Sequence, residues 1–244
     1  MIPLIRSELL KLTSVRAPWW TAAAQVPLFA MAASGAVVSG ALTAEDLATE
    51  AGLRLLLSHG GVGAILSLCV GVLLGAGEFR HGTVLDTFLS EPRRERVVAA
   101  KLAVAGIAGL VIGMVMAVAT VGVGLAWCTA KDVTMDWSVA SRSALGIVAW
   151  QALFTVLGVA LGAMLRSQAV AVTTAVVWFF IAETALAQLM STVARWLPAN
   201  AASALGYASS DGLLSQTGGG LVLLGWTLAA ALGAVVLTRR RDLA

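Results

Sequence analysis

The chain has 244 residues, 59% of them apolar and only 12% charged, with a formal net charge of +3. Soluble domains carry roughly 45–50% apolar residues, so this composition excludes a water-soluble globular fold and points to an all-α, polytopic membrane protein. The small excess of base is no nucleic-acid signature, because its placement follows membrane topology.

The first segment, IPLIRSELLKLTSVRA (Ile2–Ala17), carries Ile2, Ile5, Leu9 and Leu12 at helical spacing, with Arg6, Glu8 and Lys11 between them. A basic amphipathic helix of this kind lies in the headgroup plane. It serves either as an anchor or as a lateral strut against a cytosolic partner. Pro18 is expected to separate it from the first span, since proline resists helix continuation. No cleavable signal peptide is expected, because the first apolar run exceeds the ~7–15 residues of a signal core.

A hydrocarbon layer ~30 Å thick needs about 20 apolar residues per helix. Reading from charge to charge gives spans at Pro18–Leu42, Leu55–Gly77, Val98–Cys128, Ser143–Leu165, Ala169–Met190 and Gly218–Thr238. The third is long enough to tilt or protrude. Arg6, Lys11 and Arg16 precede span one, and Arg239, Arg240 and Arg241 follow span six. Arg80, Arg93, Arg94, Arg96 and Lys101 lie between spans two and three, and Arg166 between four and five. The alternate loops hold only Arg54, Lys131, Arg142 and Arg195. The positive-inside rule then expects both termini and the insert between spans two and three to be cytoplasmic. Trp19, Trp20, Trp127, Trp137 and Trp196 fall near span ends, as interfacial anchors do.

That insert, from Glu78 to Lys101, is too long for a simple turn, and loops beyond ~12–15 residues usually have structure or function of their own. Thr83 is placed to cap a short helix in which Val84, Leu85, Phe88 and Leu89 share one side. Ser90-Glu91-Pro92 interrupts it, and Pro92 suits the first turn of the next helix. The bases serve as positive-inside anchors. They do not explain a separate amphipathic helix, and an apolar knob rimmed by charge usually marks a protein contact. The outer stretch Ser191–Thr217 is also long, too polar and broken to span, and suits short helices covered by protein.

Within the spans, GVLLG (Gly71–Gly75), GLVIG (Gly109–Gly113) and GVALG (Gly158–Gly162) have the spacing that lets helices approach closely, either within the chain or along a dimer seam. Glu183 is a carboxylate deep in span five, with Gln188 nearby and Gln25 and Gln151 as further polar span residues. An intramembrane carboxylate is costly. It either lines a substrate path or gate, as Gln188 and Gln25 would, or hydrogen-bonds a neighbouring helix.

Several chemistries lack their residues. Lys11, Lys101 and Lys131 stand in no GxxxxGK[ST] setting, so the chain has no P-loop for ATP. With only His59 and His81, HExxH zinc chemistry is excluded. Cys69 and Cys128 lie in apolar runs without CxxC spacing and read as small buried hydrophobes. The chain is therefore expected to be non-catalytic, with no metal and no cofactor of its own.

The order of these features resembles the ABC-2 type transporter permeases, the membrane subunits of type V exporters. The insert carries the resemblance most specifically: Gly77-Glu78-Phe79-Arg80, then Gly82-Thr83, Pro92-Arg93 and Ala100-Lys101. Ser7–Arg16, Leu197-Pro198 and the terminal Arg239–Asp242 are similar in style, and Phe79 stands where many relatives have tyrosine. The resemblance implies one permease domain over residues 1–244 in a bacterial plasma membrane. It would pair with a second permease chain, as homodimer or heterodimer. Two separately encoded ATPase subunits would hold ATP and Mg. Residues 1–17 would form the connecting helix, 78–97 the coupling segment and 191–217 a re-entrant pair. The coupling role falls by position on Glu78, Arg80, Gly82, Thr83, Leu85, Phe88, Leu89 and Arg93. The substrate would be a drug, lipid or peptide. Two other readings stay open: a self-sufficient carrier using Glu183 as proton site, and a non-transporting scaffold or sensor with the permease fold.

Overall fold

Apolar runs of span length satisfy their backbone only as helices when water is absent, and every regular element in the computed structural model is helical among the described residues. The structure describes residues 1–61, 63–210 and 212–240, with the backbone alone for His81, Phe88 and Ser191. The terminal Arg241 and Asp242 lie outside the described residues.

Helix α1 (Ile2–Ser14) ends at Val15, whose backbone is extended, and α2 (Arg16–Ala23) follows at once. The break therefore precedes Pro18 rather than falling on it. Pro18 sits in the first turn of α2, where its missing N–H costs no helical bond. α3 (Gln25–Val38) continues after a turn at Ala24, again with a proline, Pro27, in its first turn. α4 (Ala44–Leu47) carries a reciprocal cap between Thr43 and Asp46.

Span two is not one continuous helix. α5 (Glu50–Ser58) gives way to a 3-10 turn at His59–Gly61, and α6 (Ala64–His81) resumes the run. The Trp150 ring lies against Gly61, and Thr120 and Ile147 crowd Gly60, so side chains at these glycines would collide. α6 ends at Gly82, whose φ of +71° is the left-handed cap that favours glycine. α7 (Val84–Ser90) then forms inside the insert, as expected, although the Thr83 hydroxyl makes no capping bond. Pro92 falls just outside α8 (Arg94–Ala130), which is unbroken over 37 residues.

α9 (Trp137–Leu165) begins at Asp136, whose carboxylate accepts from the Ser138 and Val139 amides and starts the helix two turns before the expected boundary. Span five comprises α10 (Gln168–Val176), a π-helical segment Val177–Ala182 and α11 (Glu183–Leu189). The stretch before the last span holds α12 (Ser191–Ala194) and α13 (Pro198–Leu205), and α14 (Gln216–Arg240) closes the order. Among the described residues, six segments are long and apolar enough to cross a membrane: Arg16–Val38, Glu50–Arg80, Arg94–Ala130, Trp137–Leu165, Gln168–Leu189 and Gln216–Arg240.

α9 is the axis of the bundle, packed by α6, α8, α14 and α13. The glycine motifs explain how. Gly71 and Gly75 on α6 face Gly158 and Gly162 on α9, where an added Cβ at any of them would meet the opposing backbone. Gly109 and Gly113 on α8 lie against the backbone at Ala152 and Val148 on another side of α9. All three motifs are thus spent on packing within the chain, where close backbone approach replaces the missing hydrophobic drive. The core continues around Leu68, Phe154, Ala175, Ala201 and Leu223, drawing α13 and the spans together.

Candidate functional site

Two polar constructions stand out against this apolar frame. The first lies at the pole that holds α1 and α7. Lys101, near the start of α8, is only 6% exposed, and Glu8 on α1 only 3%. Their Nζ and Oε2 are 2.7 Å apart. Lys101 also lies 3.1 Å from Glu78 at the end of α6. Lys11 pairs with Glu8 at 2.6 Å and donates to Glu78 as well. The Thr87 hydroxyl of α7 donates to Glu78 at 3.1 Å. Two carboxylates and two ammonium groups therefore form one neutral cluster joining α1, α6, α7 and α8. An isolated charge in such a place would cost several kcal/mol, on the order of 3–5 for an uncompensated partner. The cluster lines a cleft of about 490 Å³, which Leu12, Val15, Leu73 and Leu74 also line.

Burial by itself lowers the Lys11 ammonium, but its hydrogen bonds and attraction to Glu78 and Glu8 outweigh that and hold it above the ordinary lysine range. α1 is seated by Ile5, Leu9 and Leu12 against Val104, Ala108 and Leu74, whereas Ile2 points outward.

The residues expected to couple fall into two groups here. Glu78 belongs to the charged cluster. Arg80 donates to the Gln168 amide oxygen at the start of α10, at 3.1 Å. Gly82 and Thr83 form the turn between α6 and α7. α7 buries Val84 and presents Leu85 and Leu89 outward, 53% and 80% exposed. Arg93 is exposed at the N-cap of α8. The Phe88 side chain lies outside the described residues.

The second construction surrounds Glu183, which is 2% exposed. The π-helical turn immediately before it shifts the helix register, and such bulges recur at functional sites. Glu183 Oε2 accepts the Ala199 amide at 2.8 Å, capping the first turn of α13. Negative charge suits that helix end. Oε1 is enclosed and makes no hydrogen bond of good geometry among the described residues, with the Trp178 side chain as its polar neighbour. Gln188 is exposed on α11.

Gln25 is placed otherwise. It is fully buried and closes a ring of three side chains across α3, α6 and α9. Gln25 Nε2 donates to Ser67 Oγ at 3.0 Å, Ser67 donates to Gln151 Oε1, and Gln151 Nε2 returns to Gln25 Oε1 at 2.9 Å.

Sequence reasoning missed three things here. It treated Glu8, Glu78 and Lys101 separately, it did not bring Ser67 to the two glutamines, and it passed over Tyr207. At the opposite pole Tyr207, with φ +63°, lies under Arg54 at 4.0 Å from ring centroid to guanidinium carbon. Its hydroxyl donates to Glu50 at 2.9 Å, and Arg54 binds the Tyr207 and Ala208 carbonyls. That Tyr207 is the chain's one tyrosine was the available signal.

Comparison of the chain with protein-family models gives no match, and comparison with curated proteins gives none. Among the described residues, fold and site define a helical protein with six membrane-length spans and a charge-tied cluster at one pole.

Proposed function

We propose that the chain is the permease subunit of an ATP-driven exporter of the ABC-2 type, drawing its power from separate ATP-binding subunits. The observation that carries this reading is α7, a short helix between spans two and three that exposes Leu85 and Leu89. It is bound through Thr87 and Glu78 to a cluster that also grips α1 and α8. A push on α7 would reach the spans through charge-assisted bonds rather than through a slack loop. In this reading α1 is the connecting helix, α7 the coupling helix, and α12 with α13 the outer re-entrant pair. Both termini are cytoplasmic, and two permease chains work together in a bacterial plasma membrane.

The test is to read the adjacent reading frame for an ATP-binding cassette protein and co-express that protein with the chain. The two co-purify, and Leu85→Asp with Leu89→Asp abolishes the association while the permease still reaches the membrane. Absence of any association, or indifference to both substitutions, overturns the proposal.

A second reading is favoured by the enclosed Oε1 of Glu183, which makes no hydrogen bond of good geometry among the described residues. The chain would then be a proton-coupled carrier, whose transport runs on a proton gradient without nucleotide and stops in Glu183→Gln.

A further inference from the structure

The cleft of about 490 Å³ beside the charged cluster is within the ~300–1,000 Å³ of small-molecule sites. Its lining passes from membrane-length helices to a helix outside them. Ala17, Pro18, Leu73 and Leu74 belong to the segments Arg16–Val38 and Glu50–Arg80. Asp86 and Thr87 line the same cleft from α7, beyond those segments. Along α6 alone, Leu73 stands about 10 Å from Arg80 at ~1.5 Å per residue. A cleft so lined suits an amphiphile better than a water-soluble metabolite.

The charges that line it fall into two sets. Lys11 and Lys101 are committed to Glu8 and Glu78. The Lys11 ammonium also reaches the Thr87 hydroxyl at 3.4 Å, which uses its remaining proton. Arg80 and Asp86 are left over. Both are exposed. Among the described residues neither makes an ion pair, with the other or with any third group. Arg80 gives one N–H to the Gln168 amide oxygen and keeps the rest of its donor fork. The cleft therefore offers one uncommitted guanidinium and one uncommitted carboxylate. A guanidinium fork matches phosphate oxygens two at a time. A carboxylate accepts from an ammonium N–H.

We propose that this cleft binds a phospholipid with a primary ammonium in its head, of the phosphatidylethanolamine class. Its phosphate lies on Arg80, its ammonium donates to Asp86, and an acyl chain runs along Leu73 and Leu74. A purely anionic head would leave Asp86 unmatched and set a like charge beside it. A choline head has no N–H for the carboxylate. The site goes beyond the exporter reading and does not rest on it. α1, α6 and α7 all line the cleft, so the lipid touches three of the helices that the charged cluster joins.

The experiment uses the purified full chain in detergent, without nucleotide or ATPase, and reads bound lipid by native mass spectrometry over a titration. The probes are phosphatidylethanolamine, phosphatidylglycerol and phosphatidylcholine with identical acyl chains. Phosphatidylethanolamine binds about fivefold more tightly than either, the upper end for an exposed ion pair. Arg80→Gln weakens it and phosphatidylglycerol alike. Asp86→Asn brings phosphatidylethanolamine down to the level of phosphatidylglycerol, and Asp86→Lys, at an exposed position, reverses their order. A diazirine on the acyl chain labels 17–18 or 73–74. Equal melting temperatures of the lipid-free variants separate lost binding from lost fold. Equal binding of the three lipids overturns the proposal, as does indifference to the Asp86 changes or labelling confined to other spans. Displacement of the lipid by an equal concentration of free phosphoethanolamine makes the occupant a soluble zwitterion and overturns it too. Selective lipid binding in a chain that never associates with an ATPase overturns the exporter reading alone. Association without lipid selectivity overturns this inference alone.

Discussion

Lys101 Nζ lies 2.7 Å from Glu8 Oε2 although 93 positions separate them in the chain. The contact fixes helix α1 to the start of α8, and Glu78 and Lys11 complete it into a neutral group of four. A buried ion pair is weak evidence for stability, since desolvation offsets its attraction. Its value here is geometric. It sets the angle at which α1 and α7 meet the spans.

Lys101→Met removes one positive partner and leaves Glu8 and Glu78 sharing only Lys11. The loss is about 3–5 kcal/mol, the range for stranding a buried charge. Glu8→Leu combined with Lys101→Met costs markedly less than the sum of the two single changes, because the Lys11–Glu78 pair remains balanced. Thermal unfolding of the detergent-solubilised protein, read as a double-mutant cycle, measures the coupling. Additive effects would show that the two groups act independently.

Lys11 gives the same cluster a pH signature. Its folded pKa is raised above the ordinary value of 10.5 despite the opposing effect of burial. A raised folded pKa means that the stabilisation is complete below 10.5 and is lost as pH rises through the higher folded value. The difference in melting temperature between wild type and Lys11→Met is therefore constant from neutral pH to about pH 10 and shrinks above it. A difference that stays unchanged as pH rises further would place Lys11 outside the cluster.

The glycine faces yield a contrast within one chain. Gly158→Ala drives a methyl group into the backbone of α6 at Leu68, whereas a Cβ at Gly122 of α8 meets nothing within 4 Å. Overpacking of this kind costs about 1–3 kcal/mol. Gly122→Ala is neutral or gains up to about 1 kcal/mol from the lost flexibility of the unfolded chain. Denaturation by a graded harsh detergent separates the two, and equal behaviour would refute the α6–α9 approach.

The spans were legible because length and charge spacing bound a membrane helix on their own. The Gly71 and Gly158 motifs were legible as packing sites, but not as partners of each other. Pairing is a tertiary fact that a motif's spacing does not carry. The break at Gly60–Gly61 lies against Trp150, and the π-helical turn at Val177–Ala182 leads into the Glu183–Ala199 contact with α13; both are tertiary features to which hydropathy is blind. Glu8 and Lys101 were hidden for another reason. Each had a sufficient local explanation, Glu8 as part of the polar face of an amphipathic helix and Lys101 as an inside anchor, and neither explanation demands a partner.

Arg54 holds the carbonyls of Tyr207 and Ala208 and stacks on the Tyr207 ring, where the chain turns with positive φ after α13. Arg54→Ala frees two acceptors and the ring together. Amide exchange in 206–210 rises by about tenfold, since two bonds to a charged donor exceed 1.4 kcal/mol, while α9 is unaffected. Tyr207→Phe, which loses only the bonds to Glu50 and Arg142, raises exchange far less. If the two variants matched, the hydroxyl rather than the guanidinium would be the clasp.

The ring of Gln25, Ser67 and Gln151 tests how much a closed polar network contributes among spans. Ser67→Ala removes the hydroxyl that accepts from Gln25 and donates to Gln151. In a soluble core the two stranded groups would cost about 1–3 kcal/mol each. Between membrane helices such bonds average nearer 0.6 kcal/mol, because the separated helices also find partners. The lower figure decides the expectation: Ser67→Ala loses about 1 kcal/mol. Gln25→Met with Gln151→Met and Ser67→Ala, which removes the ring whole, loses little more than the single change. A triple variant that unfolds outright would show that the ring orders the three spans rather than merely filling the space between them.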